Sequence, residues 1–187
     1  MVIRKPGEKN HPDCIQEQDE PEEKDKKQKR FHCWAAVSWN LKSDIIFYEV
    51  PSNSNDKMSH QVYINQILEP VVKPWLERGA DFVLEEDGDT GHGRAGINSA
   101  ATRWKEQHGL RYYANWPHSP DLSIIENCWQ TSKQHVGRIT HWEEETLKEG
   151  IRQGWAHVSQ ESINKRVLSM PTRTDDVTDR EGKMTGW

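Results

Sequence analysis

Residues 81–93 read DFVLEEDGDTGHG. The apolar run Phe82-Val83-Leu84 is closed by Glu85, Glu86, Asp87 and Asp89, so this stretch predicts a buried strand that ends in an acidic turn. Its neighbours decide the fold. Upstream, from Ser59, the residues Ile64, Ile67, Leu68, Val71, Val72, Trp75 and Leu76 recur at three- and four-residue spacing, the pattern of an amphipathic helix with one buried stripe. Pro70 and Pro74 are expected to bend that helix or end it early, because proline lacks an N–H and its ring collides with the preceding turn. Downstream, residues 96–107 read as a helix and LRYYAN (110–115) as a second strand. Strand and helix in alternation favour an α/β domain with a partly parallel sheet.

Further upstream, RFHCWAAVSWN (30–40) and KSDIIFYEV (42–50) are short aromatic and β-branched runs that read as an antiparallel hairpin. Residues 8–30 contain almost no apolar side chain and switch from acidic to basic, as a solvated, disordered lead would. The 187 residues suffice for one domain with a proper core, although 33% hydrophobic against 29% charged residues leaves part of the chain outside it. The formal charge of -5 means that a nucleic-acid partner would need a local basic face. Cys14, Cys33 and Cys128 are too scattered for a disulfide framework or a zinc ribbon, which suits a reducing, intracellular setting. No apolar run approaches the roughly 20 residues of a membrane span, and the first residues lack the apolar middle of a signal peptide, so a soluble protein without a membrane partner is expected.

After Pro120 the pattern is helical, with Ile125, Cys128, Trp129, Val136 and Ile139 on one face and Leu147, Ile151 and Trp155 on another. Thr140 and Glu143 stand at capping-box spacing between these helices. In WPHSPDLSIIENCWQ (116–130), Ser119 can cap a helix with Pro120 at its first position, and Ser123 and Glu126 are also spaced as a capping box. Glu126 therefore reads as a cap. It also borders the apolar stripe beside Ile125 and Trp129, where its carboxylate could lean toward the sheet.

The chemistry concentrates in residues 84–93. Four carboxylates in one short turn repel each other unless water or a cation relieves them, and a hard divalent cation suits oxygen ligands, so the stretch reads either as a cation site or as a hydrated acidic loop. Gly88, Gly91 and Gly93 allow a tight turn and close approach by a ligand. An EF-hand loop starting at Asp87 is excluded, because Gly91, His92 and Asn98 stand where ligands and the turn glycine belong. The string Asp87-Gly88-Asp89-Thr90 resembles the aspartyl-nucleophile turn of haloacid-dehalogenase-like phosphatases, a weaker alternative in which Asp87 attacks a phosphate ester. His92 and His118 are either further ligands or surface histidines, the second being the plainer reading. Trp116 and Trp129 read as packing residues. Arg103, Lys105, Lys133, Arg138, Lys148, Arg152, Lys165 and Arg166 form either a basic face or ordinary solubilising charges.

Taken together, SPDLSIIENCW resembles the S-P-D-L-x-x-I-E-N-x-W element of Tc1/mariner-like transposases, DDE-type endonucleases of ribonuclease-H-like fold. EDGDTGHG is similar to their D-N-x-x-x-H element, FHCWAAVSWN to the strand that precedes it, and GKMTGW to the family's ending. The likeness covers residues 31–156 well and the rest loosely. It implies a mixed sheet flanked by helices and a site in which three acids bind two divalent ions, Mg²⁺ or Mn²⁺, that cut and join DNA. Carried over by motif, Asp87 is the second acid and Glu126 the third, both metal ligands and catalytic, with Asp89 the alternative to Asp87; the 38 residues between them (88–125) exceed the family's common spacing. The resemblance further implies transposon-end DNA as partner, assembly of more than one copy, and the nucleus as location.

The family's first acid lies on a strand upstream of the element that VIRKPGE (2–8) resembles, so that strand and its acid are expected to be missing, and Asp13, Asp19, Asp25 and Asp44 are no substitutes. The helix-turn-helix region that recognises DNA ends is expected to be absent too. The chain accordingly reads as a charged lead (1–30), an incomplete catalytic domain (31–156) and a helical tail (157–187), an endonuclease of reduced or no activity. The alternative is a non-catalytic nucleic-acid-binding module.

Overall fold

The computed structural model describes residues 32–51, 57–93, 98–115, 119–137, 143–183 and 185–187. Between His32 and Tyr48 the aromatic and β-branched residues form the expected hairpin in two ladders: β1 (His32–Trp34) pairs antiparallel with β4 (Ile46–Tyr48), and β2 (Val37–Ser38) with β3 (Leu41–Lys42). Trp34 opposes Ile46 and Val37 opposes Lys42, so residues 35–36 face residues 43–45 and the second arm carries a one-residue bulge. Ser43 closes it: its N–H donates to the Ala36 carbonyl (2.9 Å) and its hydroxyl accepts from the Ala36 N–H (2.8 Å). Asn40 turns the tip at φ 60°, a conformation that asparagine tolerates better than most residues.

The Ser59 hydroxyl caps the next helix by accepting from the Val62 N–H at 3.3 Å. That helix runs without a break as α1 (His60–Tyr63), a π-helical stretch (Ile64–Val72) and α2 (Lys73–Glu77). The expected interruption at Pro70 and Pro74 does not occur. Pro74 stands at the junction of the π stretch and α2, where the helix continues with one backbone N–H missing from its ladder. Pro70 sits in the wider π ladder, in which the Lys73 N–H reaches back five residues to the Leu68 carbonyl and the ring meets less of the preceding turn. The predicted stripe survives, with Ile64, Ile67, Leu68 and Val72 buried.

Strand β5 (Val83–Glu86) pairs in parallel with β6 (Arg111–Ala114) through the crossover helix α3 (Ala100–Gln107), the β–α–β unit read from the sequence. Ser99 caps α3, accepting from the Thr102 N–H at 3.1 Å. Tyr63, Ile67, Leu68, Leu84, Ala101, Trp104 and Leu110 make one core, against which Trp34, Ile46 and Tyr48 of the hairpin pack. Parallel and antiparallel pairs are both present, but among the described residues the strands form three two-stranded ladders rather than one continuous sheet.

Helices α4 (Ile124–Val136), α5 (Glu144–Ala156), α6 (Gln160–Leu168) and α7 (Met170–Asp179) follow. Cys128, Trp155, Val158 and Ile163 form a second core with Ala35 of the hairpin, and the Trp129 and Trp155 rings pack at 5.0 Å. Gly154 makes the close α4–α5 approach possible, since a Cβ there would lie 2.9 Å from the Ser132 hydroxyl. The Lys42 ammonium donates to the Trp155 (3.0 Å) and Val158 (2.8 Å) carbonyls at the end of α5, where a cation also suits the helix dipole. Ile139 and Thr140 lie outside the described residues, and with them the Thr140–Glu143 capping box. No described helix is long and apolar enough to cross a membrane.

Candidate functional site

Alternation along β5 turns Leu84 and Glu86 toward the core and Val83 and Glu85 away from it. Glu86 is only 5% exposed, and its carboxylate accepts from the Tyr63 hydroxyl (2.7 Å) and from the ammonium of Lys105, which is fully buried on α3. That ammonium also lies 4.0 Å from the centre of the Tyr112 ring. Burial pushes the Lys105 amine below its usual range while the Glu86 charge acts against the shift. Burial, then Glu86, pushes the Tyr63 phenol well up. Lys105 is thus a buried counter-ion, not part of a basic surface. Its place among the buried Ala101, Thr102 and Trp104 puts it on the inner face of α3.

The remaining acids of the turn also have protein partners. Glu85 accepts from the hydroxyl of its cross-strand neighbour Tyr113 at 2.7 Å. Asp89 caps a short turn over Thr90–His92, accepting from the Gly91 N–H at 2.7 Å. Asp87 Oδ1 accepts the Asp89 N–H (2.9 Å) and lies 2.8 Å from His92 Nδ1. His92 is buried with its ring 4.5 Å from that of Tyr63, which corrects the surface reading. Burial opposes the His92 charge, yet the Asp87 hydrogen bond and the charges of Asp87, Glu86 and Asp89 outweigh it and hold the imidazole above its ordinary range. The His92 hydrogen bond in turn holds the Asp87 carboxyl low, against a smaller effect of burial. Gly91 and Gly93 answer to protein neighbours: a Cβ would lie 2.6 Å from the Met58 carbonyl at the first and 2.4 Å from the Ser99 hydroxyl at the second, where φ is 75°. The crowding that called for a cation is therefore relieved largely from within. Asp87 nonetheless keeps a side chain 71% exposed, and its Oδ2 accepts from no described residue.

The motif SPDLSIIENCW divides in the same way. Buried Asp121 accepts from the Thr185 N–H (2.8 Å) and hydroxyl (2.7 Å), joining this motif to the GKMTGW ending. Asn127 accepts from Arg173 Nη1 at 2.9 Å, Cys128 is buried, and Trp129 packs on Trp155. The predicted caps do not form: neither the Ser119 nor the Ser123 side chain accepts a capping hydrogen bond. Instead the Ser123 carbonyl accepts the Glu126 N–H at 3.3 Å, a backbone contact that leaves the carboxylate unused. Glu126 is exposed in the first turn of α4, with no side-chain partner among the described residues. A negative charge is favoured there by about 0.3–1 kcal/mol.

One cleft of about 700 Å³ gathers these residues. The end of β5 and its turn supply Asp87, Asp89 and His92; the start of α4 supplies Ile124, Ile125, Glu126 and Trp129; Cys33, Trp34 and Tyr48 complete the wall. Two exposed carboxylates on one cleft are hard oxygen donors of the kind Mg²⁺ and Mn²⁺ accept. Among the described residues, however, no group of three or more His, Cys, Asp or Glu is placed to hold a metal ion. Trp116 and His118 lie outside the described residues. Sequence reasoning missed the Glu86–Lys105 pair and the anchoring roles of Asp121 and Arg173. The one available signal was Lys105 falling on the stripe set by Ala101 and Trp104.

A β–α–β unit whose first strand ends in an acidic turn, an antiparallel hairpin, and a following helix that brings a glutamate to the same cleft define a ribonuclease-H-like α/β domain. Two solved structures share the fold: the Mos1 transposase catalytic domain with Raltegravir and Mn, and the catalytic domain of the Mos1 mariner transposase. Their TM-scores are 0.59 and 0.58 at 16% identity, covering 83% of this chain and 82% of theirs. The sequence model of the DDE superfamily endonuclease family matches residues 4–148, and the chain belongs to that family. It is similar to the transposable element Tc1 transposase of Caenorhabditis elegans, 28% identical over 122 residues that make up 64% of this chain and 43% of the relative. It is also similar to the Tcb2 transposase of Caenorhabditis briggsae, 26% identical over 135 residues, 71% of this chain and 48% of the relative. The chain thus spans less than half the length of these relatives. The Tc1/mariner resemblance stands, and the phosphatase-like reading of Asp87 is left without support.

Proposed function

We propose that this domain is the metal-dependent DNA cutting and joining unit of a Tc1/mariner-type transposase, with Asp87 and Glu126 as metal ligands on the shared cleft. One observation carries the reading: in both motifs the other acids accept from protein donors, while Asp87 and Glu126 keep exposed carboxylate oxygens on one cleft. When bound, Mg²⁺ or Mn²⁺ supplies a Lewis acid for in-line displacement at a DNA phosphodiester. The residues of the chain hold the geometry. His92 and the Asp89 N–H orient Asp87, as partners of a ligating carboxylate do. The Glu86–Lys105–Tyr63 cluster stiffens the end of β5, and the Asp121–Thr185 link steadies the turn that leads into α4. Among the described residues no group of three or more His, Cys, Asp or Glu is placed to hold a metal ion, so ion binding with low or no turnover is the activity proposed. On this reading the partner is transposon-end DNA, met in the nucleus by an assembly of more than one copy.

The test is a calorimetric titration of Mn²⁺ into the folded chain and into Asp87→Asn and Glu126→Gln variants. Saturable binding that both substitutions abolish is expected; no binding, or binding indifferent to both, overturns the assignment. That no group of three or more His, Cys, Asp or Glu is placed to hold a metal ion among the described residues favours a second reading, a DNA-binding module without catalysis. It predicts salt-sensitive DNA retention in EDTA together with no Mn²⁺-dependent nicking of plasmid DNA.

A further inference from the structure

A second groove, of about 740 Å³, runs between α4, α6, α7 and the last two residues, and Lys165, Arg166 and Arg173 line it beside the amide and hydroxyl groups of Gln130 and Thr131. Arg173 is only 3% exposed. Its Nε donates to the Ser169 hydroxyl (2.9 Å), and its Nη1 to the Asp121 carbonyl (2.8 Å) and the Asn127 side-chain oxygen (2.9 Å). All three acceptors are neutral, and Nη2 donates to no described residue. Arg166 uses Nη1 alone, on the Ser162 carbonyl (3.0 Å) and hydroxyl.

The neighbouring carboxylates make their hydrogen bonds elsewhere, although Asp121 and Asp176 keep their charge. Asp121 accepts from Thr185, Asp176 accepts from the Trp187 indole (2.7 Å), and Glu161 pairs with Lys165 (2.8 Å). Neither guanidinium forms an ion pair with a described residue. A guanidinium buried without an ion pair is costly; burial followed by Arg166 depresses the Arg173 guanidinium, and the nearby Asp121 carboxylate offsets only part of this. An anion in the groove would reverse both effects, and the free N–H groups form the planar forks that match phosphate oxygens. Three other cations differ from this pair: Lys148 and Arg152 pair with acids of their own helix, and Lys105 is buried against Glu86.

We propose that this groove binds a backbone phosphate of DNA through Arg166 and Arg173, at a site separate from the acidic cleft. The proposal rests on DNA being the partner but not on metal binding. It is tested by fluorescence anisotropy of duplex DNA in EDTA, over a series of salt concentrations, with the wild-type chain, Arg166→Gln, Arg166→Lys and Arg152→Gln, the last a cation outside the groove that pairs with Glu149. The expected result is a log K against log salt slope that falls in magnitude by about 1 in Arg166→Gln, is retained in Arg166→Lys, and is unchanged in Arg152→Gln. An unchanged slope in Arg166→Gln, its fold verified by circular dichroism, overturns the groove while leaving DNA binding intact. No DNA binding by any form overturns DNA as the ligand, and saturation by inorganic phosphate instead would reassign the groove to a free anion. A failed Mn²⁺ titration with an intact slope change would sink only the cleft reading.

Discussion

The turn after β5 and the first turn of α4 both carry acids to one cleft, and the protein treats them in opposite ways. In the turn, each carboxylate has a protein donor: Lys105 and Tyr63 for Glu86, Tyr113 for Glu85, His92 for Asp87, the Gly91 N–H for Asp89. At the helix, the residues around Glu126 are anchored while Glu126 itself is not. An acid with partners is explained by the fold, whereas one left exposed is hydrated and free to accept a ligand from outside. Asp87 stands between the two, oriented on one oxygen and open on the other.

Substitutions separate these roles, beginning with the largest effect. Lys105→Met strands the Glu86 carboxylate in the core and should cost about 3–5 kcal/mol, read as a lower urea midpoint. A loss below about 1 kcal/mol would mean that water reaches Glu86 and that the turn is no more internally satisfied than the helix. Asp121→Asn weakens acceptance from Thr185 and should cost about 1–3 kcal/mol, with faster amide exchange at Thr185. If exchange there is unchanged, the tail does not steady α4.

A smaller effect follows pH. His92 is raised in the folded chain, so its contribution is complete below about 6.5 and fades as pH climbs through the higher folded value. Asp87 is lowered, so its contribution is complete above about 3.9 and fades as pH drops through the lower folded value. Thermal melts should therefore be most favourable between about pH 4 and 6.5, with the decline above that window reduced in His92→Asn. A decline of the same size in the variant would place the effect elsewhere. The smallest change is expected at Glu126→Gln, within about 0.5 kcal/mol of wild type by urea unfolding. A larger loss would restore Glu126 to a structural role and collapse the contrast.

Much of this was legible in the chain. Apolar periodicity gave the hairpin, the stripe of Ile64, Ile67, Leu68 and Val72, and the parallel pairing of residues around Leu84 and Tyr112, because alternation and three-to-four spacing are local properties. The motifs singled out Asp87 and Glu126, which both line the cleft. What was not legible depends on distant partners. Lys105 reads as a surface charge until Glu86, across the strand–helix interface, makes it a counter-ion. His92 reads as exposed until Tyr63 and Asp87 enclose it. The capping box at Ser123 and Glu126 has correct spacing, but spacing does not set the rotamer, and the serine hydroxyl goes unused as a cap. Pro70 misled because an α ladder was assumed where the chain widens to π.

The central claim is that Asp87 and Glu126 meet on one ion. Crystals grown or soaked with Mn²⁺ and measured at the manganese absorption edge test it most directly. The account predicts an anomalous peak within about 2.0–2.6 Å of a carboxylate oxygen of each residue, lost in Glu126→Gln. A peak on Asp87 or Asp89 with Glu126 turned away, or none in the cleft, would contradict it.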